Sequence, residues 1–84
     1  MKRIYLYILK CKDNSFYTGI TASFKKRISE HKLGQVSFTK SRLPIKLLYL
    51  ESFNNIKLAA KREKEIKGWR REKKIKLINS LRRR

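Results

Sequence analysis

Apolar residues dominate Ile4–Cys11, where leucine, isoleucine and tyrosine follow one another with no polar break before Lys10. Such a short, β-branched and aromatic run predicts a buried strand. Lys12, Asp13, Asn14 and Ser15 bring turn chemistry, and Phe16–Ile20 returns as a second strand, making a hairpin. Its register decides which side chains share a face. A two-residue loop at Asp13-Asn14 pairs Lys10 with Tyr17 and sends Tyr7 and Tyr17 to opposite faces. An odd-numbered loop or a bulge puts the two phenols together.

Helical spacing follows. Ser23 is a candidate N-cap for a helix to about Leu33, with Phe24 and Ile28 as its apolar stripe and Gly34 placed to end it. Residues 35–44 are polar and basic without a period, which predicts a loop up to Pro44. Ile45–Phe53 predicts a third strand. Asn54 or Asn55 caps a second helix ending near Gly68, with an inward stripe of Ile56, Ala59, Ala60, position 63 and Ile66. A third helix over 70–81 buries Ile75, Ile78 and Leu81, and Glu72 and Lys76 form an i, i+4 pair on it. The order β-β-α-β-α-α predicts an α+β domain, a three-stranded antiparallel sheet covered by helices. One domain spans 1–81, and 82–84 form a basic frayed tail.

Composition changes the picture through charge. The chain of 84 residues is 40% hydrophobic, enough for a modest core, yet 24 Lys and Arg face only 6 Asp and Glu, a net charge of +18. The excess is spread along the chain: residues 1–54 carry 11 basic and 3 acidic side chains, and residues 55–84 carry 13 and 3. A neutral domain with a basic appendage is excluded. Self-repulsion on this scale points to a polyanionic partner, nucleic acid. The lone Cys11 cannot form an intrachain disulfide, and no apolar run approaches the roughly 20 residues that span a bilayer. A cytoplasmic protein with no membrane association is expected.

Glu63 stands out among the side chains. It occupies a core-facing position in a chain that hardly uses acids, where a carboxylate is costly unless a cation or hydrogen bonds satisfy it. A salt bridge to Arg62, Lys67 or Arg27 would do so, and so would a metal ion; both readings stay open on the residues alone. Tyr7 and Tyr17 have an ordinary reading as strand aromatics. Arg27 and His31 lie one helical turn apart on one face.

Taken in order, Tyr5-Leu6-Tyr7, Tyr17-Thr18-Gly19, Arg27, His31 and Glu63 resemble the GIY-YIG nuclease domain, in its small stand-alone bacterial branch. The resemblance covers most of the chain. It implies a catalytic set of Tyr7, Tyr17, Arg27 and His31. Tyr7 would take a proton from the attacking water, with its pKa lowered by Arg27, a metal ion and the positive field. Tyr17 would position water or phosphate, and Arg27 would hold the phosphate. His31 would assist Tyr7 or protonate the leaving group. Glu63 would hold one divalent ion, usually Mg²⁺, which accepts one carboxylate and keeps much of its water. Gly19 would keep the phosphate approach clear, while Thr39, Lys40, Arg42 and Lys67 would contact the nucleic-acid backbone. The implied activity is metal-dependent endonucleolytic hydrolysis of DNA, with RNA left open. Sequence specificity should be slight, since the larger relatives carry separate DNA-reading domains. Selection of a DNA structure in repair or processing is the expected alternative to it. The rival function is a non-catalytic basic binding module with a vestigial site.

Overall fold

The computed structural model describes residues 3–82, with side chains through Ser80. Strands β1 (Ile4–Lys10) and β2 (Phe16–Thr21) form the hairpin, followed by helices α1 (Phe24–Lys32) and α2 (Ser37–Lys40). Strand β3 (Lys46–Phe53) precedes helices α3 (Ile56–Lys67) and α4 (Arg71–Arg82). The sheet is antiparallel, ordered β2-β1-β3, so the first strand in sequence is central. The α+β architecture is the expected one, with α2 added.

The hairpin register settles the phenol question. Lys10 pairs with Phe16, Leu9 with Tyr17 and Tyr7 with Gly19. The intervening loop, residues 11–15, is odd-numbered, and Tyr7 and Tyr17 are diagonal neighbours on one face. Asn14 supports the loop with a positive φ of 68°, donating its N–H to the Cys11 carbonyl at 2.9 Å. Asp13 Oδ1 accepts the Ser15 N–H at 3.0 Å.

Because β1 is covered on both faces, its centre is buried throughout. One face carries Leu6 and Ile8, packed with Tyr49, Ile66 of α3 and Ile78 of α4. The other carries Tyr7 and Leu9, packed with Ile28 of α1 and flanked by Tyr17, Phe24, Ile45 and Leu50. A break in register between Ile8 and Leu9 leaves Leu48 unpaired as a bulge in β3.

The helix boundaries follow their caps. Asn55 accepts the Leu58 N–H at 2.9 Å and starts α3. Ser23 holds the N-cap position of α1 without a side-chain cap bond. At the other end of α1, Gly34 adopts φ 75° and donates to the His31 carbonyl at 3.1 Å, while Gln35 donates to the Glu30 carbonyl at 2.9 Å. That is a Schellman turn, and the positive φ explains the glycine. It folds the chain back so that α2 lies beside the end of α1. Four residues, Ser37–Lys40, are helical where a loop was expected. A single turn is too short to show a period, and what fixes this one is the burial of Thr39.

Several expectations are corrected. On α3 the buried positions are Ala59 and Ile66; Ile56 is 60% exposed and Ala60 is exposed too. The inward stripe therefore runs through Ala59, half-buried Arg62 and Glu63, then Ile66. Arg62 belongs there because its guanidinium reaches Glu51 at 3.4 Å and Glu65 at 2.7 Å and lies over Trp69. On α4, Ile78 is buried but Ile75 is 38% exposed, at the rim of a cleft shared with Phe16 and Leu48. The side chain of Leu81 lies outside the described residues. Of the expected basic tail, Arg82 is helical and residues 83–84 lie outside the described residues.

Candidate active site

Four of the five motif residues meet on the α1 face of the sheet. The periodicity of α1 turns Phe24, Arg27, Ile28 and His31 toward β1 and β2, and the hairpin register brings Tyr7 and Tyr17 up to meet them. The Tyr7 Oη lies 3.0 Å from His31 Nε2. The ring of His31 stands edge-on to Tyr17 at 4.9 Å between centroids, and the two tyrosine rings are 6.1 Å apart. The Arg27 guanidinium lies near both tyrosines and pairs with Glu30 at 3.2 Å. Glu30 escaped the sequence reading, although its i, i+3 spacing from Arg27 was there to be used.

His31 is fully buried rather than displayed on a helix surface. Its second nitrogen, Nδ1, lies 2.8 Å from the Thr39 hydroxyl, which in turn donates to the Val36 carbonyl at 3.4 Å. The polar chain Tyr7–His31–Thr39–Val36 is thus continuous, and among the described residues no buried side-chain nitrogen or oxygen lacks a partner. This corrects the expectation for Thr39. Its hydroxyl is engaged with His31 and with the Val36 carbonyl, which leaves no hydrogen to offer a phosphate.

The direction of the Tyr7 pKa shift is also corrected. Burial pushes the phenol up to about 12, and the neighbouring Arg27 only partly opposes this. Buried in the same cluster, His31 is held below the usual histidine range, chiefly by desolvation and then by Arg27, with Glu30 pulling the other way. Both groups are therefore neutral near pH 7.

Gly19 makes room for Tyr7. A Cβ there would fall 2.6 Å from Tyr7 Oη, 2.8 Å from Tyr7 Cζ and 3.1 Å from Tyr17 Cε1. The motif glycine is required by the phenol lying across its backbone, before any phosphate is considered.

The remaining candidates lie outside this cluster. Lys40 is exposed and available for a phosphate. Arg42 is committed: it pairs with Asp13 at 3.2 Å, donates to the Phe38 carbonyl at 2.6 Å and covers the Phe38 ring. Phe38 packs on Tyr17, centroids 5.3 Å apart, so α2 and Arg42 wall the site. Sequence reading missed Phe38 and Val36, since neither sits in a periodic segment.

Glu63 belongs to α3, whose Ile66 packs on the opposite face of the sheet from Tyr7. Its side chain is 23% exposed and its carboxylate pairs with Lys67 at 3.4 Å. Among the described residues no three His, Cys, Asp or Glu side chains gather as a metal site. A lone carboxylate is a donor set that fits Mg²⁺ retaining most of its water, and it does not fit a caged structural ion. No helix among the described residues is long and apolar enough to cross a membrane.

A model described as the GIY-YIG catalytic domain matches residues 3–76. A UPF0213 protein of Staphylococcus saprophyticus is 49% identical over 80 residues, covering 94% of this chain and 98% of its own length. One of Clostridium perfringens is 48% identical over 77 residues, covering 90% and 83%. Two solution NMR structures share the fold. The UPF0213 protein BH0048 of Bacillus halodurans is 37% identical with a TM-score of 0.62, covering 92% of this chain and 83% of that one. The E. faecalis protein EF2693 is 30% identical with a TM-score of 0.70, covering 100% and 91%.

Proposed function

The chain belongs to the GIY-YIG family, a superfamily of nuclease-type hydrolases, and from that membership and the geometry around Tyr7 we propose that it hydrolyses phosphodiester bonds in DNA. The observation that carries the proposal is the buried Tyr7 Oη–His31 Nε2 contact of 3.0 Å beside the Arg27 guanidinium. A buried phenol needs one hydrogen-bond partner, which His31 supplies; the cation beside the pair is what packing alone does not require.

The chemistry follows from the protonation states. A phenol pushed up to about 12 is no free base at neutral pH. It can act as a base only by passing its own proton on. As the water oxygen bonds to phosphorus, the bond from phosphorus to the leaving sugar oxygen breaks. Tyr7 Oη takes the water's proton while its own hydroxyl proton moves to His31 Nε2; the leaving oxygen is protonated as that proton returns through Tyr7. Arg27 holds the phosphate and stabilises the charge developing on its oxygens, with Glu30 keeping the guanidinium in place. Tyr17, next to His31 and under Phe38, orients the water or the phosphate. GIY-YIG nucleases generally use a divalent ion; Glu63 would hold it, and when bound the ion would supply Lewis-acid stabilisation of the phosphate. Lys40, Lys67 and the net charge of +18 draw in the backbone without reading bases. Preference for a nick, flap or single strand, and a role in repair or processing, belong to this proposal.

One observation favours the rival, a binding module without catalysis: the Glu63 carboxylate is already paired with Lys67. Plasmid and labelled branched DNA incubated with the protein, in Mg²⁺ or in EDTA, separate the two. The nuclease reading expects Mg²⁺-dependent nicking that falls about 10²–10⁴-fold in Tyr7→Phe, with DNA affinity retained. Tight binding without cleavage in any metal would establish the module.

A further inference from the structure

Thr39 is fully buried, eight residues from His31 in sequence and in contact with it only because the turn at Gly34 brings α2 back against α1. A histidine between a tyrosine and a threonine can be threaded by protons in two directions. In the first, Tyr7 donates to Nε2, Nδ1–H donates to Thr39 Oγ1, and Thr39 donates to the Val36 carbonyl. In the second, every donor is reversed: Thr39 donates to Nδ1, Nε2–H donates to Tyr7, and the Tyr7 hydrogen must turn to Tyr17.

Only the first prepares the site for catalysis, and the surroundings favour it. Arg27 can only donate, and its positive charge near the Tyr7 and Tyr17 hydroxyls favours their oxygens turned toward it, which leaves the Tyr7 hydrogen for the imidazole. At the far end, the Val36 carbonyl lies 3.4 Å from Thr39 Oγ1 and orients the hydroxyl hydrogen away from His31. The charged and titratable groups facing His31 are Arg27 and Glu30 on its own helix, Tyr7 on β1 and Tyr17 on β2; α2 contributes the neutral Thr39. The far end of the chain is thus set by a group that does not titrate.

We propose that Thr39 is a positioning residue whose hydroxyl, oriented by the Val36 carbonyl, fixes His31 with its hydrogen on Nδ1 and keeps the Nε2 lone pair pointed at Tyr7. In the reaction the Tyr7 O–H bond breaks toward Nε2 as Oη accepts the water's proton. The imidazolium so formed keeps its Nδ1–H on Thr39 and returns its Nε2 proton to Tyr7 Oη, as Oη passes the water's proton to the leaving sugar oxygen. The catalytic part rests on the nuclease reading of Tyr7 and His31; the tautomer does not.

The test exploits the fact that the chain contains a single histidine. Nitrogen NMR of the imidazole ring in the uncleaved, substrate-free protein reports its tautomer directly, without assignment from other histidines. The wild type should show a protonated Nδ1 and an unprotonated Nε2 at neutral pH. Thr39→Val, which keeps the shape and loses the hydroxyl, should redistribute the hydrogen toward Nε2, and Thr39→Ser should restore the wild-type pattern. On cleavable DNA, Thr39→Val should lower kcat about 10–100-fold with KM unchanged, and Thr39→Ser should recover most of it. A wild-type hydrogen on Nε2, or an unaltered tautomer in Thr39→Val, overturns the proposal, and the wild-type spectrum decides even if the variant does not fold. Correct tautomers with no cleavage in any preparation would instead overturn the nuclease reading and leave the Thr39 device standing.

Discussion

A methyl group added at Gly19 would sit 2.6 Å from the Tyr7 hydroxyl, with Tyr17 closing the other side. Gly19→Ala should therefore displace the phenol from His31, costing about 1–3 kcal/mol of stability by overpacking. The loss of cleavage should exceed what that destabilisation explains. Thermal denaturation and nicking rate on one preparation check both halves. Protonation gives a second expectation. Because the folded pKa of His31 lies below its unfolded value, its contribution to stability is full above about pH 6.5 and is lost as pH falls through the folded value. Tyr7 works from the other side: its folded value is raised, so stability is full below about pH 10 and is lost between there and about 12. Melting temperature followed across pH should fall at both ends, and His31→Gln should remove the part of the acid-side fall that begins near pH 6.5. At this scale Arg27 and His31 were legible as neighbours on one helical face, whereas the sequence left open whether Tyr7 and Tyr17 share a face, because the hairpin register decides that. The direction of the Tyr7 shift was not legible, since cations can be counted along a chain and burial cannot. Thr39 was misread for the same reason: its partner lies across a turn whose geometry only the fold supplies.

Among the elements, α3 invites a measurement at Glu63. The carboxylate and Lys67 form an exposed-edge i, i+4 pair, worth about 0.3–0.5 kcal/mol. Glu63→Gln should therefore lower stability only slightly, where an uncompensated buried carboxylate would have raised it on removal. Under the nuclease reading the same variant should lose Mg²⁺-dependent cleavage and keep DNA affinity. Normal cutting by Glu63→Gln would remove Glu63 from the site. The long elements were readable from periodicity and caps, as the Asn55 cap and the Gly34 turn show. The inward stripe of α3 was misread because Arg62 spends its length on Glu51, Glu65 and Trp69, behaving as a core residue while Ile56 stays outside. Helix α2 was missed because one turn has no period; it is held by Thr39 beneath it and by Arg42 tying Phe38 and Asp13 together.

For the molecule as a whole, a net charge of +18 on 84 residues makes the folded state repel itself. Duplex DNA should raise the melting temperature at low salt, and the gain should shrink as salt is added. Binding followed by anisotropy should give a steep log–log salt slope and similar affinity for unrelated sequences; a slope near zero would assign the basic surface another purpose. Charge distribution was readable in the sequence, and so was the fold class. What no reading of the chain delivered was the contrast between the two sheet faces, one gathering Tyr7 with α1 and the other holding Ile66 of α3.

The strand order β2-β1-β3 has a consequence for how the protein is made. Of the three strands the central one is made first, and one of its edges finds β2 within a few residues. Its other edge waits for β3, which is not complete until Phe53. The apolar run of β1 must therefore pass through much of synthesis with one edge and one face open, and the pairing that finally closes it spans most of the chain. Such non-local closure is slow to form and exposed to mispairing while it waits. Nascent chains stalled before β3 should remain protease-sensitive and sticky, and protection should arrive in one step when β3 and then α3 emerge.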